Sequence, residues 1–210
     1  MRRYHSTTIT TKVATYIFGG EHNQETFEVL VNDTWKLSDN FIPCGSQKAC
    51  GVAISDTELL LIGGKHNRHR ILLFNTEEQS FKELKVKLNV GRFGHSCSHM
   101  PDRHKVMIAG GVSGNDSTNS AEILDLRQMK IISTISLKEK RRHFGMGIVY
   151  IDGKLQLAAF GGKSGNHTYI NSVEFFNSTT NQWQISSYKL RSRKAFFGSI
   201  SISTKSLCEK

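Results

Sequence analysis

Nine histidines and four cysteines are the residues of this 210-residue chain that could hold a metal or attack a substrate. His95 and His99 have the spacing to share one face of a strand, with Cys97 between them, and His66 and His69 stand in one loop. A metal centre needs a third and usually a fourth ligand, and the sequence names none for either pair. Cys97 beside two histidines has the outline of an activated nucleophile, but a strand thiol is expected to be buried and inert. No Gly-x-Ser-x-Gly elbow and no phosphate loop occurs. The expectation is a chain that is not an enzyme, with no cofactor and no metal.

Arginine and lysine carry the stronger signal. The formal net charge is +10 and the pI is near 9.6. Lys65, His66, Arg68, His69 and Arg70 crowd one loop, and Lys138, Lys140, Arg141, Arg142, Arg191, Arg193 and Lys194 crowd two later junctions. Arginine forks suit carboxylates bidentately, so the expected partner is a protein with an acidic patch. Nucleic-acid readers interleave aromatics with the charge or present a basic helix, and neither pattern occurs, so no nucleic acid is expected. No apolar run approaches the ~18 residues of a membrane helix, so no membrane is expected. The start, MRRYHSTTITT, has no apolar core and does not read as a secretory signal. Cys44, Cys50, Cys97 and Cys208 form no CxxC pair, and free thiols in a reducing, cytoplasmic setting are expected. The N-x-S/T triplets at Asn32, Asn115, Asn166 and Asn177 then read as products of Asn-rich loops.

The elements that must position these charges are short strands. From Phe144 to Ile185 the chain reads as two hairpins: two apolar runs flank Asp152-Gly153, and Val173–Phe176 faces a run centred on Trp183 across a polar turn. One such sheet cannot cover both of its faces, which directs attention to copies. Diglycines recur at Gly19-Gly20, Gly63-Gly64, Gly110-Gly111 and Gly161-Gly162, spaced 44, 47 and 51 residues, each after an apolar run. Phe74 and Phe81, Leu124 and Ile131, and Phe176 and Trp183 are each seven apart. Arg92, Arg142 and Arg193–Lys194 open runs that lead toward Phe-Gly, and they are read as one repeat slot holding adjacent units together.

This order of marks resembles the kelch repeat, over nearly the whole chain. The resemblance implies an all-β fold, a kelch-type β-propeller of about four blades of four antiparallel strands. The blades would run about 1–47, 48–91, 92–141 and 142–193, with an extra inner strand at 194–203 and a polar tail at 204–210. Ile131 stands where the family usually has tryptophan, and Trp35 sits early in its strand. The large residue at Phe81, Ile131 or Trp183 would fill the gap between blades. The resemblance also implies a protein-protein interaction module, as in the substrate-binding propeller of a ubiquitin-ligase adaptor, or an actin- or cytoskeleton-binding protein. The family includes copper oxidases such as galactose oxidase, whose ligand set is not assignable here, and this metal-dependent enzyme is the alternative of another class.

With the strands of a blade labelled a to d from the axis outward, antiparallel order puts b–c loops and d–a junctions on one face. Both basic groups lie on that face, and Lys65, His66, Arg68, His69, Arg70, Lys140, Arg141 and Arg191 are the candidate contacts, with Arg68, Arg70, Arg141 and Arg191 the most exposed. Four blades plus one strand exceed a simple ring by one strand. That suggests a partial propeller, or a small ring in which the last strand displaces the first; the oligomeric state stays open.

Overall fold

The computed structural model describes residues 3–102, 104–151, 153–165 and 168–196. Four sheets of four antiparallel strands stand around one axis, as in a four-blade β-propeller, and there is no helix among the described residues. Blade one is β1 (Thr7–Thr10), β2 (Thr15–Phe18), β3 (Phe27–Val31) and β4 (Thr34–Leu37). Blade two is β5 (Cys50–Ala53), β6 (Glu58–Ile62), β7 (Ile71–Asn75) and β8 (Ser80–Glu83). Blade three is β9 (Ser96–His99), β10 (Lys105–Ala109), β13 (Ser120–Asp125) and β14 (Lys130–Ser136). Its b–c loop folds into a small hairpin of β11 (Val112–Ser113) and β12 (Asp116–Ser117). Blade four is β15 (Gly145–Ile151), β16 (Lys154–Phe160), β19 (Ser172–Asn177) and β20 (Gln182–Lys189), with a matching loop hairpin of β17 (Lys163–Ser164) and β18 (Thr168–Tyr169).

The burial of each strand follows its place in the blade. Middle strands are covered on both faces, so Leu59–Ile62 and Val106–Ala109 are buried throughout. Outer strands face water, and Thr34–Leu37 is exposed along its length. The c–d turns of blades two to four are set by side chains: Asn75, Asp125 and Asn177 each accept two backbone N–H bonds through Oδ1. Blade one uses a tighter turn, with Asn32 and Asp33 both left-handed (φ 49° and 57°). The turn is shorter, so Leu30 pairs with Trp35, as Phe74 pairs with Phe81 and Phe176 with Trp183. Trp35 therefore occupies the repeat's usual place rather than an early one.

Three apolar clusters lie between consecutive blades. Between blades three and four, Met107 and Ala109 meet Leu157, Ala159 and Trp183. Each fully buried large side chain there contributes about 1.5–3 kcal/mol. The diglycines lock the blades at their loop ends: Gly64, Gly111 and Gly162 donate backbone N–H bonds forward to the carbonyls of Arg92, Arg141 and Lys194. Gly110 shows why the position is glycine, with φ +64° and a Cβ there falling 2.4 Å from the Arg141 carbonyl oxygen.

β1 remains the inner strand of blade one, paired with β2, so no later strand displaces it. The expected strand at 194–203 lies, beyond Phe196, outside the described residues, as do the tail and Cys208. The free-thiol expectation is corrected for two cysteines. Cys50 and Cys97 face each other from the inner strands of blades two and three, with Cα atoms 5.9 Å apart, and form a disulfide; Cys44 is free and exposed. The cause is the ring itself, which sets consecutive inner strands side by side: Cys50 pairs with the residue before its diglycine and Cys97 lies one residue further along its strand, so the two side chains point at each other from facing sides. No described helix is long and apolar enough to cross a membrane.

Candidate protein-binding face at the axial mouth

One backbone ladder organises the loop face. Lys48 N–H donates to His5 O at 3.0 Å, Gly94 to Lys48 at 2.8 Å, His143 to Gly94 at 2.8 Å, and Phe196 to His143 at 2.9 Å. All five residues are left-handed, with φ between 50° and 61°. Four of them carry side chains that resist that conformation, at about 1–3 kcal/mol each, a strain typical of ligand sites and held here by the repeated bonds. The five residues line the mouth of an axial cavity of about 930 Å³. The His143 ring stacks on Phe196 at 4.2 Å and on His5 at 5.9 Å.

The mouth is cationic. Burial lowers the Lys48 ammonium from its ordinary value; Glu21 opposes this, and Lys65 and Arg142 add to it. Burial is also the largest cause holding His143 to about 3, helped by Lys48, His5, Arg142 and Lys163. His143 is therefore neutral at pH 7, and its neighbours supply the positive charge. Glu21 accepts from His5 at 3.2 Å, which lowers its pKa. Among the described residues no carboxylate is ion-paired with Lys48, Lys65, Arg142 or Lys163.

The candidate contacts divide. Lys65, His66 and Arg191 are exposed. Arg68 is half-buried, stacked 5.0 Å over the Phe93 ring with Nη1 donating to the Gly114 carbonyl. His69 is held to the Leu88 carbonyl. Arg70 pairs with Glu83 at 2.5 Å and Lys140 with Asp116 at 3.1 Å. Arg141 is corrected outright: its side chain is 0% exposed, 2.7 Å from a Glu174 that is also 0% exposed. It also donates to the Gly161 carbonyl and the Ser172 hydroxyl. The reason is a register offset. The left-handed rim residue of blade four is His143 rather than a glycine, so the arginine slot two residues earlier holds Arg3, Arg92 and Arg141. Arg142 is left at the rim, with Nη2 on the Gly165 carbonyl. Lys194 takes that place after blade four, and exposed Arg193 lies one residue off.

The carboxylates Glu28, Glu122 and Glu174 were missed by sequence reading, although each sits nine to thirteen residues beyond the first glycine of its diglycine. Glu122 also caps the backbone N–H groups of Asn89 and Val90, as Glu174 does for Lys138 and Glu139. His95 and His99 do not converge on a common ligand: His95 is buried between the diglycines of blades two and three, and His99 bonds the Ala53 carbonyl. No described group of three or more His, Cys, Asp or Glu residues is placed to hold a metal.

The class defined by this geometry is a β-propeller whose loop face gathers unpaired cations around an axial cavity. No family model matches the sequence, and no curated protein matches it as a relative.

Proposed function

We propose that the chain is a non-enzymatic protein-binding propeller that takes an acidic patch of a partner on its loop face. The observation that carries this reading is the group of Lys48, Lys65, Arg142 and Lys163, whose charges converge on Lys48 or His143 at the axial mouth and which make no ion pair with a carboxylate among the described residues. Arg68 and Arg191 extend the same face outward. Loops on a rigid blade scaffold are the usual site of binding. A rim of cations speeds encounter with an acidic surface and selects against basic ones. The resemblance of the repeat to kelch blades supports a finer form of this reading, the substrate-binding propeller of a ubiquitin-ligase adaptor.

The test is fluorescence anisotropy with a labelled poly-glutamate peptide. Arg142→Glu together with Arg191→Glu is expected to weaken binding about tenfold or more. Unchanged affinity in a folded double variant would overturn the reading.

A further inference from the structure

Four N-x-S/T triplets stand in this chain, at Asn32, Asn115, Asn166 and Asn177. They read as incidental while every cysteine is taken as a free thiol. The Cys50–Cys97 bond removes that premise, because disulfides form and persist in the oxidising compartments of the secretory route, where N-linked glycans are also added.

The asparagine side chains divide by what holds their amide nitrogen, the atom that takes the sugar. Nδ2 of Asn40, Asn67, Asn119 and Asn171 donates to a backbone carbonyl, and none of these residues begins a triplet. Asn32, Asn115 and Asn177 do begin one, and they make no described hydrogen bond through Nδ2.

Asn177 is the best placed of them. Its Oδ1 accepts from the N–H groups of Thr179 and Thr180, which fixes the side chain and leaves Nδ2 without a partner. Ser178, Thr179 and Thr180 are exposed at the turn. That exposure belongs to the slot rather than to the surroundings of blade four. Asn75 and Asp125 fill the same slot in blades two and three, which have a blade on each side, and they too are half-buried, with Glu77 and Arg127 exposed where Thr179 stands. Turn-making asks only for an Oδ1, which Asp125 supplies as well. The Asn177 amide and the Thr179 hydroxyl are surplus to it.

We propose that Asn177 carries an N-linked glycan and that the chain matures in an oxidising compartment. In the transfer, Nδ2 bonds to the anomeric carbon of an oligosaccharide held on a lipid diphosphate. The bond from that carbon to the diphosphate breaks, the diphosphate leaves with its electron pair, and the amide proton passes to a base of the transferring enzyme. The c–d turns lie on the face opposite the axial mouth, so the glycan leaves the acidic-patch reading open and the inference is independent of it. A ligase adaptor works in a reducing compartment, so this proposal and that finer form of the loop-face reading exclude each other.

The test uses the full-length product from the cells that make it, with thiols blocked by N-ethylmaleimide at lysis. Peptide N-glycosidase in heavy-oxygen water should convert Asn177 to a labelled aspartate, read by peptide mass, and non-reducing digestion should give Cys50 joined to Cys97. Two variants made in the same cells check the site. Asn177→Asp keeps the turn acceptor, as Asp125 does, and Thr179→Ala keeps the backbone N–H that bonds it. Each should lose a glycan on a gel with its melting temperature unchanged. An unlabelled Asn177, maleimide on both Cys50 and Cys97, or glycosylation that neither variant lowers would each overturn the proposal.

Discussion

Arg92 and Glu122 lie 2.8 Å apart with both side chains 0% exposed, and Arg141 and Glu174 repeat the contact one blade on. Arg3 and Glu28 make the same pair in blade one. Blade two lacks both partners: Ser46 stands two residues before Lys48, and Leu72 pairs with Leu61 where the other blades pair a glutamate. The arginine ties the blade opening to its diglycine carbonyl, and the glutamate caps the incoming junction.

Removing one partner leaves the other charge buried and uncompensated. Arg92→Met should cost about 3–5 kcal/mol, while Arg92→Met with Glu122→Leu should recover part of that loss. Urea denaturation of the two variants and the parent checks both outcomes.

Acid should weaken the fold before its carboxylates titrate. His95 and His143 are held to about 3, chiefly by burial, so the unfolded chain binds their protons first. With folded values below unfolded ones, their stability is present above about pH 6.5 and is lost as pH falls toward 3. Each histidine contributes a slope of about 1.4 kcal/mol per pH unit at most. Glu21 and Asp116, whose values are lowered by His5 and Lys140, add their losses only at lower pH. Thermal melts at pH 7.5 and 5 should differ clearly, and His95→Asn should reduce the difference; a flat profile between those pH values contradicts the assignment.

The Cys50–Cys97 bond closes a loop of 47 residues in sequence between two inner strands. Chain-entropy arithmetic for a loop of that length gives at most about 4 kcal/mol. Reduction, or Cys50→Ser with Cys97→Ser, should lower the melting temperature by several degrees. Non-reducing peptide mapping should recover the 50–97 cross-link; its absence in protein purified without reductant contradicts the pairing.

Much of the fold was legible because the marks are local. Each diglycine directly follows a second strand, as at Ile62 and Ala109, and seven-residue spacings such as Phe74 to Phe81 are cross-strand partners in register. Trp35 eluded that spacing because a two-residue left-handed turn shortens its hairpin. The candidate site was less legible. Arg141 and Arg142 are adjacent in sequence, and only the left-handed turn at His143 decides that one is buried and the other reaches the rim. Lys48 carried no basic run around it, and its place at the mouth follows from the backbone ladder.

Bulk charge is the competitor to a located binding face, and the two separate by position. The measurement is the affinity of labelled poly-glutamate for two double variants of equal charge. One reverses Lys65 and Arg142 on the loop face; the other reverses Lys12 and Lys154, exposed at a–b turns on the opposite face. The account predicts a loss of about tenfold or more for the first and less than about twofold for the second. Equal losses would mean that net charge alone attracts the probe, and would contradict a binding face at the axial mouth.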